Sequence, residues 1–173
     1  MSEFHQLVTE QIPRLRRYAR ALTFDRARAD DLVQDTLMRA LVKEHLWQPG
    51  TNLRAWLFTI MHNQNVNIVR HGMRDPAAVD VEQMSATLIA TTDPTASRQL
   101  RELDRALSRL PLGQRQVILL VGLEGMSYDN AAEILGIPIG TIRSRLSRGR
   151  QTLRELLDID EERCAPSAMA RAA

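Results

Sequence analysis

The chain has 173 residues, 23 basic against 21 acidic side chains and a formal net charge of +2, which leaves room for one ordinary domain or two small ones and excludes a global polycation. Any nucleic-acid surface must therefore come from local segregation of charge. The basic residues suit it, because Lys43 is the only lysine and guanidinium forks fit phosphates and guanine edges, although a GC-rich genome would give the same composition. The one cysteine, Cys164, cannot form an internal disulfide, and His5, His45, His62 and His71 lack close metal-ligand spacing. No apolar run approaches the roughly 20 residues of a bilayer span, so a cytoplasmic protein with no metal, cofactor or membrane contact is expected.

From Ser2 to Leu22 the apolar positions Phe4, Leu7, Val8, Ile12, Leu15, Tyr18, Ala19 and Leu22 have helical spacing, with Pro13 marking a kink or a fresh first turn. Arg14, Arg16, Arg17 and Arg20 crowd its second half and read as a solvated basic face in preference to a DNA contact. Asp25 can cap a second helix running to about Glu44, with Leu32, Val33, Thr36, Leu37, Ala40 and Leu41 as the buried stripe. Asp30, Asp31, Gln34 and Asp35 make an early acidic, amide-bearing face. It suits the helix dipole and equally suits docking on a basic protein.

The turn Gln48-Pro49-Gly50-Thr51-Asn52 precedes a third helix, capped by Asn52 or Thr51, with Leu53, Trp56, Leu57, Ile60, Met61 and Ile68 as core. Asn63, Asn65 and Asn67 alternate along it, with Gln64, Arg70, His62 and His71 alongside. Asparagine is a mediocre helix former, so propensity does not explain three of them. Side-chain amides match the donors and acceptors of base edges, and arginine matches phosphate. From 72 to 92 the periodicity fades into a small-residue stretch with Pro76, read as an interdomain linker with a short helix near 81–88.

A second domain opens at Asp93-Pro94, a cap followed by proline at the first helical position. Leu100, Leu103, Leu107 and Leu110 run to the break at Pro111, and a further helix spans about Leu112 to Glu124, ended by Gly125. Ser127 then caps the first helix of MSYDNAAEILGIPIGTIRSRLSRGRQTL. Ala131 and Ala132 allow close helix crossing, Gly136 allows a tight turn, and Ile134, Leu135, Ile137, Ile142 and Leu146 close a small core, which is the pattern of a helix-turn-helix. Between Ile134 and Arg154 there is no acid, while Arg143, Arg145, Arg148, Arg150 and Arg154 all fall there. Exposed helices normally mix signs, so this face reads as a major-groove reader, with Thr141, Arg143, Ser144, Arg145, Arg148 and Arg150 as its DNA-contacting residues.

The expected architecture is all-α, with two small helical domains at 1–71 and 93–160, a linker at 72–92 and a tail at 161–173, the second domain being a four-helix unit. No nucleophile-base pair, phosphate-cradling glycine loop or metal cluster suggests an enzyme or a small-molecule substrate.

Four patches in this order, PRLRRYARAL, DDLVQDTLMRA, PGTNLRAWLFTIMHN and LPLGQRQVILLVGLEGMSYDNAAEILGIPIGTIRSRLSRGR, resemble the extracytoplasmic-function (ECF) sigma factors of bacterial RNA polymerase. The wording PGTNLRAWLFTIMHNQNVN is most similar to the general-stress-response, EcfG-like branch. The resemblance implies that Asp31, Leu32, Gln34 and Asp35 dock on the clamp helices of core polymerase. It implies that Trp56, His62, Asn63, Asn65, Asn67 and Arg70 read and open the minus-ten promoter element, that the helix-turn-helix reads the minus-thirty-five element, and that an anti-sigma factor holds the protein inactive. Asn67 stands where many members have an acid and His62 where arginine is common, which alters the donors offered to the downstream bases. A free-standing helix-turn-helix regulator and a sigma-like decoy that binds an anti-sigma protein are the competing readings.

Overall fold

The computed structural model describes residues 3–72 and 94–164. The expected linker (except Gly72), the Asp93 cap and the tail beyond Cys164 lie outside these residues. Every regular element among them is helical, and the first four build one unit: α1 (Glu3–Thr23), α2 (Arg26–Val42), a 3-10 turn at Glu44–Leu46, and α3 (Leu53–Gly72). Pro13 lies inside a continuous α1 and starts no new helix. The Asp25 carboxylate accepts from the Arg28 amide at 3.0 Å, and Asn52 Oδ1 accepts from the Ala55 amide at 3.1 Å. Both caps therefore satisfy first-turn donors that a helix leaves unpaired.

The core of this unit comes from the apolar stripes of the three helices. Leu15, Tyr18, Leu32, Leu57, Phe58 and Met61 are fully enclosed, each large apolar side chain contributing about 1.5–3 kcal/mol by burial. The Tyr18 and Phe58 rings meet edge to face at 5.1 Å. Phe4 gathers Trp47 at 5.3 Å and Trp56 at 6.2 Å into a second aromatic group.

Two residues expected inside, Leu41 (46%) and Ile68 (50%), are exposed, as is Leu103 (37%) of the leucine run in the second domain. The buried side of α2 runs through Ala29, Leu32, Val33, Thr36 and Ala40, and Leu41, one residue beyond Ala40, is turned about 100° off it. Leu41 instead joins Met38, Val42 and Leu46 among the exposed apolar side chains.

The second unit comprises α4 (Pro94–Arg109), α5 (Leu112–Ile118), a π turn (Leu119–Leu123), α6 (Tyr128–Leu135) and α7 (Ile139–Cys164). The helix expected over 112–124 is thus α only in its first half. Its wider second half closes with the Glu124 amide on the Leu119 carbonyl at 2.9 Å. Arg115 holds the end of α4, donating to the Leu107, Ser108 and Leu110 carbonyls at 2.9, 2.7 and 3.0 Å. Ser127 caps α6 through the Asn130 amide at 3.1 Å, and Gly136 takes φ +62°, the left-handed turn that joins α6 to α7. Where α7 packs on α5, a Cβ on Gly149 would lie 2.6 Å from Ile118 Cδ1, so any larger residue there must push the Ile118 side chain aside. α7 reaches Cys164, four residues into the segment expected as tail at 161–173.

Candidate nucleic-acid interface

On α7, Ile142 and Leu146 face the core, whereas Arg143, Arg148 and Arg150 are exposed and Thr141, Ser144 and Arg145 are half-exposed. Ser144 donates its hydroxyl to the Thr141 carbonyl at 3.1 Å. Arg145 differs from its neighbours, because its guanidinium lies against Gly113 of α5, where an added Cβ would be 2.9 Å from Nη1 and 3.1 Å from Cζ. The missing side chain of Gly113 gives that guanidinium its resting place.

On α2, Asp31, Gln34 and Asp35 all point outward, continuous with exposed Met38 and Val42. Leu32 must be removed from the expected docking set, since it is 1% exposed and part of the core. Its position between acids concealed that it belongs to the inward stripe with Ala29, Val33 and Thr36.

The polar helix α3 divides its candidates between two environments. Asn63, Asn67 and Arg70 are exposed, and Trp56 is half-buried against Phe4. Asn65 is 7% exposed, and its side-chain nitrogen finds no hydrogen-bond partner. His62, half-exposed, faces the second unit, its Nδ1 lying 3.3 Å from Gln116 Nε2. Burial lowers the imidazole pKa, so a neutral ring accepting from the Gln116 amide fits this contact. Arg54, His62 and Asn65 recur at helical spacing on one side of α3, and α3 packs along α6.

The two units are joined by polar contacts that sequence reasoning missed. Arg17 donates to Glu124 Oε1 from Nε at 3.1 Å and from Nη2 at 2.8 Å, and Nη2 also reaches the Leu123 carbonyl at 3.2 Å. Arg14 lies 3.9 Å from Glu124 Oε2. Arg54 donates to the Glu124 carbonyl at 2.6 Å and to Met126 Sδ at 3.2 Å. The Glu124 side chain is 0% exposed, and burial, followed by its charge, holds the Tyr18 hydroxyl well above the usual phenol range. Arg115 donates to the Leu22 carbonyl at 3.1 Å and stacks 4.8 Å from the centroid of Phe24, a residue at φ +55°. Burial lowers its pKa, yet four carbonyls and an aromatic face keep the guanidinium partnered. The arginines of α1, read as solvated, thus include two that are tied to the second unit. Glu124 stood in the sequence only as the last residue of a helix ended by Gly125, with no local pattern marking it as a buried acid.

Two helical units, the second with a helix-turn-helix and an acid-free reading face, define a sigma-type transcription factor. Residues 8–62 match the family model described as the Sigma2 domain of PhyR, and residues 100–153 match sigma-70, region 4. The ECF RNA polymerase sigma factor EcfG of Rhodopseudomonas palustris (strain TIE-1) is 43% identical over 149 residues, covering 86% of this chain and 82% of the relative. The chain belongs to the ECF sigma factors. The sigma factor RpoE, solved with the anti-sigma factor NepR from Bartonella quintana, superposes with a TM-score of 0.80 at 39% identity, covering 92% of this chain and 99% of that one. The anti-anti-sigma factor PhyR, solved with NepR from the same organism, shares the fold at a TM-score of 0.58 and 16% identity, over 87% of this chain and 49% of that one. Among the described residues no helix is long and apolar enough to cross a membrane.

Proposed function

We propose that this chain directs core RNA polymerase to a set of general-stress promoters and is restrained by an anti-sigma factor of the NepR kind. The observation that carries the reading is the separation of charge within a sigma fold: an outward acidic face on α2 and an acid-free arginine face on α7. The first suits a basic partner protein, the second DNA. Asp31, Gln34 and Asp35 dock on the clamp helices. His62, Asn63, Asn65, Asn67 and Arg70, supported by Trp56, capture unstacked minus-ten bases, while Thr141, Arg143, Ser144, Arg145, Arg148 and Arg150 hold the minus-thirty-five element. The domain limits are 1–71 and 93–160, with the connecting stretch at 72–92. Promoter opening comes from base capture on polymerase, without a reaction catalysed by this chain, and polymerase supplies the second attachment that two small DNA contacts need. The test is run-off transcription by core polymerase reconstituted with the protein on a promoter library; transcripts starting downstream of one shared motif pair support the reading, and unselective or absent initiation refutes it.

The match of residues 8–62 to the PhyR model favours a second reading, a decoy that binds an anti-sigma factor without touching promoters. Crosslinking from Arg143–Arg148 to promoter DNA in the polymerase complex separates the two, because a decoy gives no crosslinks.

A further inference from the structure

Three arginines from two helices, Arg14 and Arg17 on α1 and Arg54 on α3, converge on Glu124 and its carbonyl. The fit is incomplete: Arg17 uses Oε1 alone, while the buried Oε2 has no hydrogen bond and meets Arg14 only at 3.9 Å. Guanidiniums arranged around a partly used carboxylate form a receptor with spare donor capacity, and a phosphodiester has both the charge and the oxygens to use it. The receptor adjoins the start of the helix that faces promoter DNA in the reading above. About three turns of that helix carry Arg54, His62 and Asn65 along the same side, with His62 meeting the Gln116 amide. Carboxylate on guanidinium and amide on imidazole are the same pairings that DNA offers as phosphate and base edge.

Separation of the units follows from length. Elements centred near minus ten and minus thirty-five are about 25 base pairs, or roughly 85 Å, apart at about 3.4 Å per base pair. A compact chain of this size has a radius of gyration of about 16 Å and is about 40 Å across. The contacts that join α1 and α3 to the π turn, α5 and α6 cannot persist while both elements are held.

We propose that Arg14, Arg17 and Arg54 form a phosphate site for promoter DNA, which Glu124 fills as an internal surrogate while the two domains are together. The inference rests on the sigma reading of α3. It makes the closed chain a competitor of its own DNA binding, and docking on polymerase removes the competitor.

Two substitutions break the same ion pair and separate a DNA site from a simple clasp. Glu124→Gln removes the surrogate and leaves the receptor, whereas Arg17→Ala removes part of the receptor. An increased radius of gyration in solution scattering for both variants, with unchanged far-ultraviolet circular dichroism, shows that each opens the free chain and remains folded. Affinity for promoter DNA is then read by anisotropy against salt, for the free chain and for the polymerase-bound chain. The proposal predicts opposite signs in the free chain, Glu124→Gln binding several-fold tighter and Arg17→Ala several-fold weaker than wild type. It predicts that Arg17→Ala lowers the salt slope of the polymerase-bound chain by about 0.9 and that Arg17→Lys restores it. Changes of the same sign, or a slope unaltered by Arg17→Ala, overturn it and leave only a clasp. The free-chain comparison does not use polymerase, so its outcome is distinct from a failure of the wild-type protein to bind polymerase. Should Arg17→Ala not fold, Arg54→Ala is read in its place against the same criteria.

Discussion

Asp104 is enclosed on α4 with Oδ1 lacking a hydrogen bond, and burial pushes its carboxyl up to about 6 from 3.8. A folded-state pKa above the unfolded one means that the folded chain binds the extra proton, so stability falls as pH rises from about 4 to about 6 and stays lower above that. Asp104→Asn is expected to raise the melting temperature by a few degrees at pH 7.5 and by nothing near pH 4, seen in paired thermal melts. Gly113 acts through another residue. A methyl group there displaces the Arg145 guanidinium, which is the flexible end of a side chain, so the fold is spared. Arg145→Ala is expected to cost about 1–3 kcal/mol of upstream-element affinity. Gly113→Ala should reproduce part of that cost and add nothing in the Arg145→Ala background, measured as a double-mutant cycle. The sequence marked Arg145 through its acid-free surroundings, but Gly113 lies 32 positions earlier, where no local pattern links the two.

Helix ends and helix faces were the parts most legible in the chain. Asp25, Asn52, Ser127 and Gly136 act within three or four residues of themselves, and each makes the cap or turn that its type and position suggested. Periodicity was less complete where a stripe ends, as at Leu41 and Ile68, and at Leu103 within α4, since burial there depends on which neighbour packs and not on spacing. The π turn at 119–123 was invisible for a related reason, because its apolar residues LLVGL fit an α pattern equally well. The crossing of α5 and α7 is tight enough for Gly149→Ala to force Ile118 aside. A loss of about 1–3 kcal/mol in chemical denaturation is expected from such overpacking. The outer face of α2 behaves oppositely. Asp31→Arg and Asp35→Arg alter exposed side chains, so the melting temperature should hold within a few degrees while affinity for core polymerase falls at least tenfold in a pull-down titration. Unchanged affinity removes the docking assignment.

For the whole molecule, the two-domain helical plan and its family could be read from four ordered patches, whereas the association of the domains could not. The contacts that hold them join residues 107, 93, 70 and 54 positions apart, and arginines that make them look like any solvated basic face in the sequence. That association decides what α3 offers, because Asn65 is enclosed and His62 is engaged in the structure. Candidate residues for the minus-ten element are therefore divided between those already exposed, Asn63, Asn67 and Arg70, and those facing the second domain. Promoter choice conferred on core polymerase is the central property of this chain, and sequencing the 5′ ends of transcripts made by the reconstituted enzyme measures it directly. Starts clustered behind a common pair of elements, lost together with Asp31→Arg and shifted in upstream preference by Arg145→Ala, are the predicted result. Starts indistinguishable from those of core polymerase alone would contradict it.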